Sequence, residues 1–386
     1  MFGKVLRLEQ RSASRRAAAT DPGPTNPELN RHNPSALYPP ITDAGAMPQF
    51  KYPFSMAHKR LYDGGWSHEV TARELPISTT LAGVLMRLTA GGVRELHWHT
   101  AAEWAIMLYG EARVTAIDSD GKSFVSDTGV GDLWYFPPGI PHSIQGLKPD
   151  GAKFLLVFDD GYFSEHETVL LADLVAHTPR EVLAKNFGVS ERALQNLPKE
   201  ELFIFQTNPP GPLLKDKRAA AGARGFSPCE FVFRASQGMR KKTRGGEVRI
   251  VDSSTFKVST TVAMAHVTVH PGALRELHWH PNADEWQYYI AGKGRMTVFA
   301  TGGRARTLDF ETGDVGYVQK TLPHYIENTG NTDLQFLEMF KTDQFQDLSV
   351  SEWLTHTPPE LVMAHLNIDK KTLDSMPKEN VAIVPA

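Results

Sequence analysis

Two near-copies of one six-residue segment constrain the fold of this chain more than any other feature. The segment Arg94–His99 has the sequence RELHWH, and Arg275–His280 repeats it 181 residues later. A glutamate and a more distant histidine recur at an offset of 182 residues. A repeat of this length indicates two similar whole domains and not a short-period solenoid.

Each copy carries two histidines separated by one tryptophan. Alternate residues of a β-strand point to the same face, so the two imidazoles of each copy can converge on one point. A glutamate follows each pair, and a third histidine comes later in each half. The candidate metal ligands are His97, His99, Glu103 and His142 in the first half, and His278, His280, Glu285 and His324 in the second.

Three imidazoles and one carboxylate leave two positions of an octahedral ion open. Open positions suit a small bidentate anion or dioxygen. The donor set alone does not select the metal, because iron, zinc, nickel and copper also accept these ligands. The single cysteine, Cys229, excludes both an intramolecular disulfide and a thiolate cluster.

The composition excludes two classes of partner. The 386-residue chain has a formal net charge of -3, which does not indicate a nucleic-acid partner. It contains no apolar run long enough to span a membrane. Small and polar residues, not an apolar segment, follow Arg15 and Arg16, so we expect a cytoplasmic protein. Export with a lost or mis-assigned leader is the alternative.

The chain divides into four segments. Residues 1–49 are rich in Pro, Asn and small residues and form an extended N-terminal arm, which we expect to be ordered only by packing. Residues 50–206 form the first domain, 207–228 a Pro- and Gly-containing linker, and 229–386 the second domain. Short strands with Gly/Pro turns predict a mainly β protein with two antiparallel jelly-roll barrels. Capping-box patterns at Thr178–Glu181 and Thr357–Glu360 predict a short helical pair after each barrel.

These motifs resemble the cupins, and specifically the bicupin oxalate decarboxylases, from about Phe50 to the C-terminus. The first cupin motif is matched by Gly91, His97, His99, Glu103 and Gly110, and again by Gly272, His278, His280, Glu285 and Gly292. The second motif is matched by Gly131, Pro137, Gly139 and His142, and again by Gly313, His324 and Asn328.

The resemblance implies two tandem cupin domains with two Mn²⁺ ions per chain. It implies conversion of oxalate to formate and carbon dioxide, with dioxygen needed as a co-catalyst but not consumed. It also implies a homo-oligomer, a trimer or a hexamer. Two rivals remain: an oxalate oxidase that makes hydrogen peroxide, and a manganese-binding bicupin without turnover.

A difference in loop length distinguishes the two halves. The first half has three more residues around Ser164–Thr168 than the second half has around Gln346–Leu348. In the resembling decarboxylases this loop is a lid over the N-terminal metal, and its glutamate handles the proton. Glu165 matches that position. An isolated loop glutamate is by default a solvated carboxylate, but the extra length and the resemblance favour the catalytic interpretation.

Two arginines precede the metal-binding histidines. The resemblance implies that Arg94 and Arg275 lie beside the metals and hold the substrate anion. Their separation of three residues from His97 and His278 puts them on the opposite face of a regular strand, so this role requires a bulge or a twist before the ligands.

A further carboxylate, Glu338, interrupts an apolar strand at a position where the first half has Leu156. Because a buried carboxylate needs a partner or a raised pKa, Glu338 either pairs with Arg275 or acts as an acid/base at the second site. We favour the structural pairing.

Overall fold

The structure, a computed structural model, describes residues 25–164, 167–234, 237–238 and 240–386. The described residues form two compact units. The first unit comprises those of 56–238 and 252–262, and the second unit those of 25–55, 240–251 and 263–386. No helix among the described residues is long and apolar enough to cross a membrane.

The N-terminal arm packs on the second unit. Its elements are α1 (Pro27–His32), α2 (Pro34–Leu37), β1 (Lys51–Pro53) and a 3-10 turn (Phe54–Met56). The Lys51 ammonium donates to the carbonyl of Asp309 at 2.6 Å and lies 2.9 Å from the carboxylate of Asp314. The arm is thus anchored by a buried ion pair as well as by strand pairing.

Strands dominate the first unit, whose described residues also contain three α-helices. The elements are β2 (Lys59–Tyr62), β3 (Gly65–Val70), β4 (Ala82–Leu88), β5 (Gly92–Trp98), β6 (Glu103–Gly110), β7 (Ala112–Ile117), β8 (Ser123–Thr128), β9 (Leu133–Phe136), β10 (His142–Gly146), β11 (Ala152–Phe158), β12 (Val169–Leu170), α3 (Leu171–Ala176), α4 (Arg180–Phe187), a 3-10 turn (Glu191–Leu194), β13 (Ile204–Gln206), α5 (Leu213–Ala220) and β14 (Val232–Phe233).

The barrel of the first unit consists of two antiparallel sheets. One has the strand order β14-β9-β6-β11-β4-β3-β2, and the other has the order β12-β5-β10-β7-β8 with β13 also paired to β5. Side chains alternate along β4 and β11, so that Val84, Met86 and Phe154 lie in the core with no exposed surface. The core supports the strands that carry the candidate ligands.

The second unit repeats this architecture. Its elements are β15 (Arg240–Thr243), β16 (Gly246–Val251), β17 (Ala263–Val269), β18 (Leu274–Trp279), β19 (Glu285–Ala291), β20 (Lys293–Ala300), β21 (Arg304–Glu311), β22 (Asp314–Val318), β23 (His324–Asn328), β24 (Leu334–Phe340), β25 (Leu348–Ser349), α6 (Val350–Thr355), α7 (Pro359–Leu366), α8 (Lys370–Asp374) and β26 (Ile383–Val384). The sheet orders are β1-β22-β19-β24-β17-β16-β15 and β21-β20-β23-β18-β25, with β26 paired to β18. The predicted mainly β duplication with a helical pair after each barrel is confirmed.

Both unit boundaries differ from those expected from the sequence. Lys51–Pro53 adds an edge strand to the second unit, opposite Asp314–Gly316. Val232–Phe233 adds an edge strand to the first unit, opposite Leu133 and Trp134. A short strand can extend any free sheet edge, and alternation along its own sequence does not specify which one.

The linker and the capping boxes also differ from expectation. Residues 207–228 contain the helix α5, which is held on the first unit because Arg113 donates to the carbonyl of Gly211 at 2.9 Å and pairs with Asp216. The two predicted capping boxes do not form. The hydroxyl groups of Thr178 and Thr357 donate back to carbonyls of the preceding helix, at 2.6 and 2.9 Å.

Candidate metal centres

A bulge in β5 lets Arg94 and His97 share one face of the strand. His97 lies opposite His142 on β10, whereas Arg94 lies opposite Ile144. Three residues of β5 therefore span the distance covered by two residues of β10. The second unit has the same irregularity between Arg275 and His278. The sequence required a bulge for the arginines to reach the metal side, and the structure contains one at both positions.

The described residues contain two groups that could hold a metal ion, and these are the two predicted sets. In each set the four candidate ligand atoms lie within 4.8 Å of one another, and every residue is buried. The strands place them together: β5 and β18 supply the first histidine, β6 and β19 begin at the glutamate, and β10 and β23 begin at the third histidine.

Backbone carbonyls orient all six imidazoles. Each Nδ1 lies 2.6 to 3.1 Å from a carbonyl oxygen, to which only a protonated nitrogen can donate. In a neutral imidazole this leaves Nε2 as the atom with a free lone pair. The acceptors are the carbonyls of Glu95, Ala101 and Ile140 in the first unit and of Glu276, Gln346 and Leu322 in the second.

The second set contains an electrostatic conflict that a cation resolves. Nε2 of His324 lies 2.8 Å from Oε2 of Glu285, and Nε2 of His280 lies 3.1 Å from the same oxygen. These distances suit ion pairs, yet none of the three atoms has a hydrogen-bond partner among the described residues. Neutral imidazoles that hold their proton on Nδ1 would point lone pairs at a carboxylate. A buried cation removes that repulsion, so the residues fit a metal ion.

The electrostatics favour the metal-binding forms of both glutamates and of His97, whereas Glu285 raises the pKa of His280 against the effect of burial. Burial alone would raise the pKa of Glu103, but facing His142 and His99 hold it well below its usual range. The pKa of Glu285 is likewise held low by His324 and His280 against the effect of burial. Burial, reinforced by Arg94, lowers the pKa of His97 well below its usual range. An ionised carboxylate and a neutral imidazole are the forms that bind metal.

The sequence did not identify the residues that orient the two glutamates. Nε1 of Trp134 donates to Oε1 of Glu103 at 2.9 Å. In the second unit the amide of Gln287 donates to Oε1 of Glu285 at 2.6 Å, and Tyr289 donates to Gln287. Gln287 carries a detectable signal, because it lies two residues after Glu285 and is polar within a buried strand. Trp134 carries none, since an indole on a strand predicts packing.

The two arginines have different surroundings. Arg94 is buried, and its Nη1 donates to the carbonyl of Phe203 at 3.3 Å while its guanidinium lies 3.9 Å from the centre of the Phe203 ring. Arg275 is fully buried and contacts two carboxylates, Glu338 at 3.1 Å and Asp347 at 2.9 Å. The structure thus brings Glu338 and Arg275 together as the sequence suggested, and adds Asp347, which sequence reasoning did not single out. Glu165 lies outside the described residues.

Two antiparallel β-barrels, each with a buried cluster of three histidines and one glutamate, define the class of two-domain cupins. The family model described as Cupin matches the chain twice, at residues 54–195 and 233–374.

The chain is 53% identical over 361 residues to the oxalate decarboxylase OxdC of Bacillus subtilis, covering 94% of this chain and 93% of that protein. It is 40% identical over 368 residues to a probable oxalate decarboxylase of Arthroderma benhamiae, covering 94% and 90%. A solved structure of the Bacillus subtilis oxalate decarboxylase at pH 4.6 matches with a TM-score of 0.92 at 53% identity, covering 95% of each chain. Another matching structure of that protein concerns its Mn(II) centres. The chain belongs to the oxalate decarboxylase family of bicupins and is an enzyme of the carboxy-lyase class.

Proposed function

We propose that this protein converts oxalate to formate and carbon dioxide at the first metal centre, with Mn²⁺ as the metal and with dioxygen needed but not consumed. The observation that carries the proposal is the position of Arg94, which the bulge in β5 brings to the same strand face as His97. A four-ligand centre with a buried guanidinium on its side suits a small dianion or its monoanion.

The chain's own groups divide the work. His97, His99, Glu103 and His142 would hold the metal, which when bound supplies open coordination positions and one-electron chemistry. Arg94 would fix one carboxylate of the substrate and keep the carbon–carbon bond in a constant orientation. Packing of Phe163 on Phe158, with ring centroids 3.6 Å apart, gives an apolar side to His99 and limits water there.

Glu165 is the proposed proton carrier. It would accept the remaining proton of the oxalate monoanion and return it to the carbon left after loss of carbon dioxide. The overall change, hydrogen oxalate to formate plus carbon dioxide, is balanced without an added oxidant. Support for this role is the acidic loop after β11, which is three residues longer in the first half than in the second.

Metal exchange tests the proposal. The protein is stripped with a chelator, reloaded separately with Mn²⁺, Fe²⁺ or Zn²⁺, and assayed for formate from oxalate under air and under nitrogen. We expect formate only from the manganese-loaded protein in the presence of dioxygen. Absence of formate from metal-replete protein, or formate production that chelation leaves unchanged, would overturn it.

We also propose that the chain assembles into a homo-oligomer, a trimer or a hexamer. Large apolar side chains are exposed at equivalent positions in the helical pairs of both units. They are Leu174, Val182 and Phe187 in the first unit and Trp353, Leu361 and Leu366 in the second. Such repeated exposure supports a contact between copies of the chain. Sedimentation equilibrium tests it, and a monomer at micromolar concentration would overturn it.

A further inference from the structure

We propose that Asp347 is an internal anion that occupies Arg275, so that the second centre binds metal but does not admit oxalate. The inference rests on the proposed function, because it takes an arginine beside the metal as the group that receives the substrate carboxylate. In this proposal the carboxylate of Asp347 contacts Arg275 in the way that a substrate carboxylate would contact Arg94 at the first centre.

Every nitrogen of the Arg275 guanidinium is occupied. Nε donates to Glu338 at 3.1 Å, Nη2 donates to Asp347 at 2.9 Å, and Nη1 donates to the carbonyl of Ala382 at 3.3 Å. Glu338 has no exposed surface, and the Asp347 side chain is 15% exposed. The guanidinium thus contacts two carboxyl groups in a poorly solvated place, so a substrate carboxylate would have to displace one of them.

The loop that carries Asp347 is fixed over the second centre by further contacts. The carbonyl of Gln346 accepts from Nδ1 of the ligand His280 at 2.7 Å. The hydroxyl of Ser349 donates to buried Glu276, the residue that follows Arg275, at 2.7 Å. Asn282, two residues after His280, donates to Thr342 at 3.2 Å and to the carbonyl of Gln344 at 3.0 Å. These contacts hold Asp347 where its carboxylate reaches the guanidinium.

The first unit lacks both carboxylates at the matching positions. Leu348 lies opposite Trp279 and Val169 lies opposite Trp98, so Asp347 corresponds to Thr168. Glu338 corresponds to Leu156, since each lies at the same place on the matching strands β24 and β11. The two centres therefore share their metal ligands but differ at these two positions, where only the second unit has carboxylates.

Asp347→Asn is the informative substitution. It removes one negative charge while keeping the size of the side chain, and it leaves Arg275 balanced by Glu338. Removing a single partner of a buried pair is often destabilising because a charge is left uncompensated, and that problem does not arise here. Asp343→Asn is the matched control, because Asp343 lies in the same loop and is exposed.

The test is equilibrium dialysis of the full-length, metal-loaded protein against labelled oxalate under nitrogen, with metal content and intact oxalate measured at the end. We expect Asp347→Asn to bind about one more oxalate per chain than the wild type at equal metal content, and Asp343→Asn to match the wild type. Equal oxalate binding by Asp347→Asn and the wild type would overturn the inference. A wild type that binds no oxalate would instead contradict the proposed function, and the difference between the variants would still decide the role of Asp347.

Discussion

Arg94 and His97 share one face of β5 although three residues separate them, because the strand bulges between their partners Ile144 and His142. In a regular strand an odd separation would place the guanidinium and the imidazole on opposite faces. Because of the bulge, β5 presents the guanidinium of Arg94 on the same face as the metal-binding imidazole of His97. The same irregularity occurs in β18, between Arg275 and His278.

Replacing Arg94 by lysine tests this arrangement. Lysine keeps the positive charge but cannot make the planar two-bond contact with a carboxylate. We expect Arg94→Lys to retain its metal and to lose about 100-fold in kcat/KM for oxalate, equivalent to about 2.7 kcal/mol. Arg192→Lys, at an exposed arginine, is the control. Unchanged kinetics in Arg94→Lys would exclude a direct contact with substrate.

Two substitutions in the same loop, at Glu165 and at Glu167, test the catalytic role of Glu165. General acid–base groups contribute about 10²- to 10⁴-fold to rates, so Glu165→Gln should lower the rate of formate production by at least about 100-fold. Glu167→Gln, two residues later at an exposed position, should leave it within about twofold. If both variants behave alike, the proton is handled elsewhere.

Because the domain is duplicated, equivalent metal ligands of the two centres can be compared within one protein. His97→Ala and His278→Ala each remove one imidazole from equivalent, buried positions. Each should lower the metal content from about two ions to about one per chain. Only His97→Ala should abolish formate production from the metal that remains. Loss of activity in His278→Ala with the first centre still loaded would move the chemistry to the second centre.

A partly buried histidine away from both centres predicts a pH dependence of stability. Burial and the nearby Arg249 lower the pKa of His266 to about 4. In the unfolded chain His266 binds a proton below about pH 6.5, whereas in the folded chain it does so only below about pH 4. The stabilisation is therefore complete above pH 6.5 and is lost as the pH falls toward 4. Between pH 7.5 and pH 5 the loss is about 2 kcal/mol from this group.

Urea unfolding of the wild type and His266→Gln at several pH values measures that contribution. The variant should show a pH dependence that is flatter by about 2 kcal/mol over this range. His365→Gln, at an exposed position on α7, should follow the wild type. Identical slopes for the wild type and His266→Gln would show that His266 does not contribute.

The two sets of metal ligands were predictable because they follow from patterns visible in the sequence. These patterns are the alternation of side chains along a strand and the repeat of a whole domain. The spacing of His97 and His99 by itself indicates two ligands on one strand face. A role for Arg94 beside them required a bulge in the strand. What sequence could not provide was the partner of each element. Lys51–Pro53 and Val232–Phe233 pair with sheet edges far along the chain, and edge pairing depends on which edge is free in three dimensions.

The same limit applies to the groups around the metal. Asp347 reaches Arg275 only because several contacts fix its loop, and Trp134 meets Glu103 only because β6 and β9 are neighbours. Hydrogen bonds across elements follow from tertiary packing, which residue spacing does not record. The predicted capping boxes do not form for a related reason. The hydroxyl of each threonine instead donates to a carbonyl of the preceding helix.

The most direct test of the account is a product balance on metal-replete protein consuming oxalate under air. Formate, carbon dioxide and hydrogen peroxide are measured together against the oxalate lost. Decarboxylation without net oxidation predicts about one formate per oxalate and no stoichiometric peroxide, as the balanced proton transfer requires. About one peroxide per oxalate with no formate would contradict the account and identify an oxidase.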